Sequence, residues 1–134
     1  MGEHDKTVPI LRDEDIVEAR MAARGMAEHL GFSGSDLVLI ATAVSEIARN
    51  ILEYAKNGEI ALFPVRNSRG IGVRVVGQDS GPGIPDIELA LQEGFSTGRG
   101  LGMGLPGARR LMDEFEIISK SGYGTTVTVT KWLR

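Results

Sequence analysis

The chain has 134 residues, of which 42% are hydrophobic and 25% charged, the proportions of one ordinary folded domain and not of a disordered segment. Its formal charge of −3 argues against non-specific nucleic-acid binding, and the absence of cysteine excludes disulfide and thiolate chemistry. No apolar run reaches the roughly 18 residues of a membrane span, and the N-terminus lacks an apolar signal core, so a cytoplasmic protein that binds neither membrane nor nucleic acid is expected.

In chain order, Thr7 to Arg12 reads as a strand. Asp13, Glu14 and Asp15 then open a helix that carries Ile16, Ala19, Ala23, Ala27 and Leu30 on one side and stops at Gly31. Ser33 to Asp36 reads as the cap and acidic first turn of a second helix. Its stripe is Ile40, Val44, Ile47, Ile51 and Tyr54, and Asn57-Gly58 closes it. Ile60 to Val65 and Ile71 to Gln78 form a hairpin around Arg66 to Gly70. A short helix with Ile87, Leu89 and Leu91 follows Pro85, and another runs from Leu105 to Met112 with Pro106 in its first turn. Phe115 to Lys120 and Thr125 to Trp132 flank Ser121 to Gly124 as a second hairpin. Helices and hairpins in this order predict an α+β, two-layer sandwich occupying residues 1–134 as one domain, with helices on one face of a mixed, mostly antiparallel sheet.

Glycine is the compositional outlier, 18 of 134 residues against an average share of about 7%. The excess is clustered at Gly81 and Gly83, from Gly94 to Gly107, and at Gly122 and Gly124, where backbone must turn sharply or approach something closely. Asp79 ends a strand just before the first cluster. There it can accept a hydrogen bond from a ligand's amino group, with the glycines passing beneath a flat ring, although Asp-Ser-Gly-Pro is also good turn chemistry. The run Gly94 to Gly104 leads into a helix, so its amides and the helix N-terminus suit an anion such as a phosphate; a flexible loop is the plainer alternative. Arg99, Arg109 and Arg110 form a small basic cluster near it. Gly102-Met-Gly104-Leu-Pro-Gly107 matches a dinucleotide fingerprint literally, but no strand precedes it. A phosphate loop with Gly-Lys-Ser/Thr and the triplets of ordinary protein kinases are both missing from the sequence.

Glu46 and Asn50 lie four apart in the second helix, on one side and beside its apolar stripe, where either an exposed polar pair or the edge of a cleft would place them. Together with Asp79 to Gly83, Gly98 to Gly104 and Gly122 to Thr126, in this order, they resemble the boxes of the GHKL (Bergerat) ATPase and kinase superfamily. The compact length, Ser45 to Asn50, Gly94 to Thr97, Leu105-Pro-Gly, Leu111 to Phe115 and Lys131 to Arg134 are similar to the switch kinases of the stressosome, relatives of the anti-sigma-factor serine kinases. The resemblance implies a serine/threonine kinase that uses ATP and Mg²⁺. Glu46 would be the general base, Asn50 the Mg²⁺ ligand, Asp79 the reader of the adenine amino group and Thr126 a support on the adenine side. Gly81 and Gly83 would shape the base pocket, and Gly98, Arg99, Gly100, Gly102 and Gly104 would cover the phosphates. STAS-domain proteins of a partner-switching stress pathway would be the substrates, with a downstream regulator activated by the released kinase. A GHKL ATPase and an anti-sigma factor that sequesters a sigma factor are the alternatives.

Overall fold

The computed structural model describes residues 5–83 and 104–134. The short helix expected after Pro85 and the glycine run as far as Gly102 lie outside the described residues. Strand β1 (Lys6–Ile10) leads into helix α1 (Asp13–Leu30) and helix α2 (Ser35–Tyr54), followed by β2 (Gly58–Asn67) and β3 (Gly70–Asp79). Helix α3 (Gly104–Leu111), β4 (Glu114–Lys120) and β5 (Gly124–Trp132) complete the described chain. The sheet runs β1-β2-β3-β5-β4, and every pairing in it is antiparallel.

Local chemistry explains the helix ends. The Asp15 carboxylate reaches back to accept the amides of Leu11 at 2.8 Å and Arg12 at 3.1 Å, satisfying donors at the start of α1. At its far end Gly31, with φ +109°, sends its amide to Glu28 O while Phe32 N binds Ala27 O, and the paired bonds close the helix. Gly34, not Ser33, precedes α2, and it uses a backbone conformation, φ 60° and ψ −135°, that a side chain would oppose.

The helices cover one face of the sheet. Ile40, Val44, Ile47 and Ile51 of α2 meet Ile60, Leu62, Val73, Val75, Val127 and Val129, while the alanines of α1 complete the same core. Each fully buried aliphatic side chain of this kind contributes about 1.5–3 kcal/mol. At Gly77 the approach is so close that an added Cβ would run into Ile47 Cγ2. The strands outrun their apolar segments: β2 and β3 pair from Gly58↔Asp79 to Asn67↔Gly70, leaving a two-residue turn in which Asn67 Oδ1 accepts the Arg69 amide at 2.8 Å. That extension carries Asp79 to the end of the sheet, against the C-terminal end of α2.

Candidate nucleotide site

The second half of helix α2 lines the site. Glu46 is 4% exposed although charged, and both of its oxygens are engaged: Oε1 accepts the Gly104 amide at 3.1 Å, and Oε2 lies 3.1 Å from Arg49 Nη1. Gly104 is the first residue of α3, so the carboxylate sits on the open N-terminus of that helix, where negative charge is favoured. Asn50, one turn further along α2, is partly exposed. The next residue, Ile51, and Ala55, which caps α2, pack at the strand end carrying Asp79: a Cβ on Gly58 would meet Ile51 at 2.8 Å and Asp79 Cβ at 3.1 Å.

Asp79 is held by its Oδ1, which accepts the amide of Gly81 at 2.9 Å and the amide of Thr125 at 3.2 Å. Among the described residues no donor is aimed at Oδ2, which leaves an acceptor for a ligand's amino group. From Glu46 to its last residue, Tyr54, the helix rises about 12 Å, which separates the two ends of the site. One end offers a carboxyl oxygen among glycines and the other an amide side chain and a carboxylate seated on a helix N-terminus. The donor set fits an adenine nucleotide. It fits Mg²⁺ only jointly with the nucleotide, since no cluster of three or more His, Asp or Glu is placed to hold a metal among the described residues.

The structure assigns the glycines of this region a reason the sequence does not show. A Cβ on Gly81 would come within 2.5 Å of Ala55 Cβ, and one on Gly83 within 2.6 Å of Lys120 O, so both positions are closed by the protein's own packing. Gly124, at φ +129°, lies so close to Asp79 that a Cβ would strike its carbonyl oxygen. These contacts seat the β4–β5 turn on the Asp79 loop, and Gly122 N donates to Pro82 O at 2.8 Å.

Thr126 is placed elsewhere. Alternation along β5 puts it on the opposite face from Val127 and Val129, beside its partners Gln78 and Ile118, away from the helices. Its neighbour Thr125 is the residue at Asp79. It is 5% exposed, and its Oγ1 lies 2.8 Å from Ser119 Oγ. The signal that finds it is the period of two: Thr125 shares the face of the two core valines. Arg49, three residues after Glu46, is the second residue of the site that motif reading passed over. Gly98, Arg99, Gly100 and Gly102 lie outside the described residues, and Arg109 and Arg110 are exposed on α3. No described helix is long and apolar enough to cross a membrane.

Comparison with known proteins gives the family. Residues 11–131 match the family described as the histidine kinase-like ATPase domain. The chain is 48% identical to the serine/threonine-protein kinase RsbT of Bacillus subtilis, over 95% of this chain and 96% of that one. It is 33% identical to an anti-sigma F factor of Caldanaerobacter subterraneus, over 86% of this chain and 83% of the other. Among solved structures, the SiaB–SiaC complex from Pseudomonas aeruginosa matches with TM-score 0.61 at 16% identity, over 95% of this chain and 89% of that one. The mycobacterial sensor histidine kinase MprB matches with TM-score 0.56 at 15% identity, over 96% of each chain, and both likenesses show the fold. The chain belongs to the histidine kinase-like ATPase family, as a homologue of the serine/threonine-protein kinase RsbT.

Proposed function

We propose that this chain, as one GHKL domain in the cytoplasm, transfers the terminal phosphate of ATP to a serine or threonine of small STAS-domain regulators in a stressosome-type partner-switching pathway. The observation that carries the reading is the order of groups along α2: a buried carboxylate at the α3 N-terminus, an amide one turn on, and an aspartate among glycines at the far end. Identity of 48% to a serine/threonine kinase, against 33% to an anti-sigma factor, favours transfer over sequestration of a sigma factor.

Asp79 Oδ2 accepts from the adenine amino group while Oδ1 stays fixed by Gly81 and Thr125. Asn50 would hold Mg²⁺ through its side-chain oxygen, and the ion when bound draws charge from the phosphates. Glu46 takes the proton of the acceptor hydroxyl as the new oxygen–phosphorus bond forms, and the bridging oxygen leaves with its electron pair on ADP. The acceptor must dock as a folded surface, because in-line attack needs its oxygen within about 3–3.5 Å of phosphorus. Phosphate added there places like charge beside the nucleotide and weakens the complex, freeing the kinase for a downstream regulator.

Incubation with γ-labelled ATP and a STAS-domain protein from the same cell is the test. Label on a partner serine or threonine is the expected result. Label found only in inorganic phosphate would make the chain an ATPase, and nucleotide-dependent binding of a sigma factor with no labelling would make it a sequestering factor.

A further inference from the structure

The Glu46–Arg49 pair is unusual for a one-turn ion pair on a helix. Most such pairs are solvated and weak. Here the carboxylate is 4% exposed and the arginine side chain 30%. Arg49 Nη1 is itself fully enclosed and stands 3.1 Å from Oε2, yet its N–H directions do not align on that oxygen, so charges are paired without a hydrogen bond. The other oxygen, Oε1, is committed to the Gly104 amide. The carboxylate is therefore fixed at both ends in different ways: Oε1 by a hydrogen bond, Oε2 by a neighbouring charge that leaves its lone pairs open.

We propose that Arg49 is a positioning residue for the transfer reaction: it holds the Glu46 carboxylate in the rotamer in which Oε2, not Oε1, faces the acceptor hydroxyl and receives its proton. The inference rests on the reading of Glu46 as general base. The guanidinium is suited to the task because it is planar, rigid and always charged, so it stands beside Oε2 as a fixed body and not as a mobile point charge. A lysine at the same place supplies the charge that burial of Glu46 requires, without that geometry. Acting through Glu46, Arg49 influences the chemical step and not the binding of ATP.

The experiment compares Arg49→Gln, Arg49→Lys, Glu46→Gln and the double variant Glu46→Gln/Arg49→Gln in the full chain. Thermal melting is followed together with kcat and the KM for ATP on the STAS-domain partner that the unaltered chain labels. Misplacement of a reacting group by about 1 Å can cost about 10²-fold, so Arg49→Gln is expected to lower kcat by up to that factor while KM for ATP stays within about twofold. Arg49→Lys is expected to melt near the unaltered chain and still turn over slowly. In the Glu46→Gln background, Arg49→Gln should cost nothing further, because the group it positions is gone. Full kcat in Arg49→Lys would reduce the arginine to a counter-charge and overturn the proposal. So would a second, equal loss in the double variant, which would mean that Arg49 acts on the nucleotide directly. If Glu46→Gln slows transfer but Arg49→Gln does not, the positioning role falls and the base survives; if Glu46→Gln transfers at full rate, both fall.

Discussion

The amide of Gly104 donates to Glu46 Oε1 at 3.1 Å, joining the first residue of α3 to a carboxylate 58 residues earlier in the chain. The bond ties the end of the glycine run to the proposed base. Glu46→Gln keeps an acceptor for that amide and a similar shape, yet removes the basic oxygen. It is expected to lower phosphate transfer by about 10²- to 10⁴-fold with ATP affinity near that of the unaltered chain, read by label transfer and calorimetry. Transfer at the original rate would remove Glu46 from the mechanism.

On the proposed reading, Asp79 and Asn50 divide the nucleotide between them. Asp79→Asn can retain the two amides on one oxygen, but its new NH₂ group then faces the donor on adenine. Affinity for ATP and for adenosine should fall together, by about 1–3 kcal/mol. Asn50→Ala should weaken Mg²⁺-ATP and spare adenosine. Calorimetry with both ligands, with and without Mg²⁺, separates the two; equal losses for both ligands in both variants would contradict the division.

Thr125 and Thr126 offer a one-residue control. Thr125→Val keeps the backbone amide that holds Asp79 but removes the hydroxyl 2.8 Å from Ser119 Oγ that anchors this end of β5, whereas Thr126→Val changes the far face of the sheet. Nucleotide affinity should drop in the first variant and stay within about twofold in the second, since a lost neutral hydrogen bond is worth about 0.5–1.5 kcal/mol. The opposite ranking in equilibrium binding would return the role to Thr126.

The close approach of sheet and helix at Gly77 has a stability consequence. Gly77→Ala places a methyl group against Ile47 in the middle of the core, and overpacking of this kind costs about 1–3 kcal/mol. A lower urea midpoint with unchanged slope is expected; an unchanged midpoint would show that α2 can shift freely on the sheet.

Much of this fold is legible in the residues. The stripe Ile40, Val44, Ile47 and Ile51 marks α2, Gly31 marks the end of α1, and both hairpins follow from alternation around turn residues. What depends on pairing between distant segments is not legible. The sequence order of β4 and β5 does not reveal that β5 inserts beside β3, nor that β2 and β3 stay paired as far as Asn67 and Gly70. In the site, Glu46, Asn50 and Asp79 are visible because their types and spacing match a known set of boxes. Thr125 stands beside Asp79 where the motif points to Thr126, because a motif reads as a string, whereas a strand reads as two faces. Gly81 and Gly83 have their reason in Ala55 and Lys120, residues whose approach only the folded chain creates. Arg49 carries no motif of its own, and its burial beside Glu46 is a property of the packed helices.

A structure of the full chain with a non-hydrolysable ATP analogue and Mg²⁺ tests the central claim most directly. The account predicts the adenine amino group within hydrogen-bond distance, about 2.7–3.2 Å, of Asp79 Oδ2, with the metal on Asn50 and the terminal phosphate at the Glu46 end of α2. A nucleotide bound in the reverse sense, or adenine away from Asp79, would contradict it.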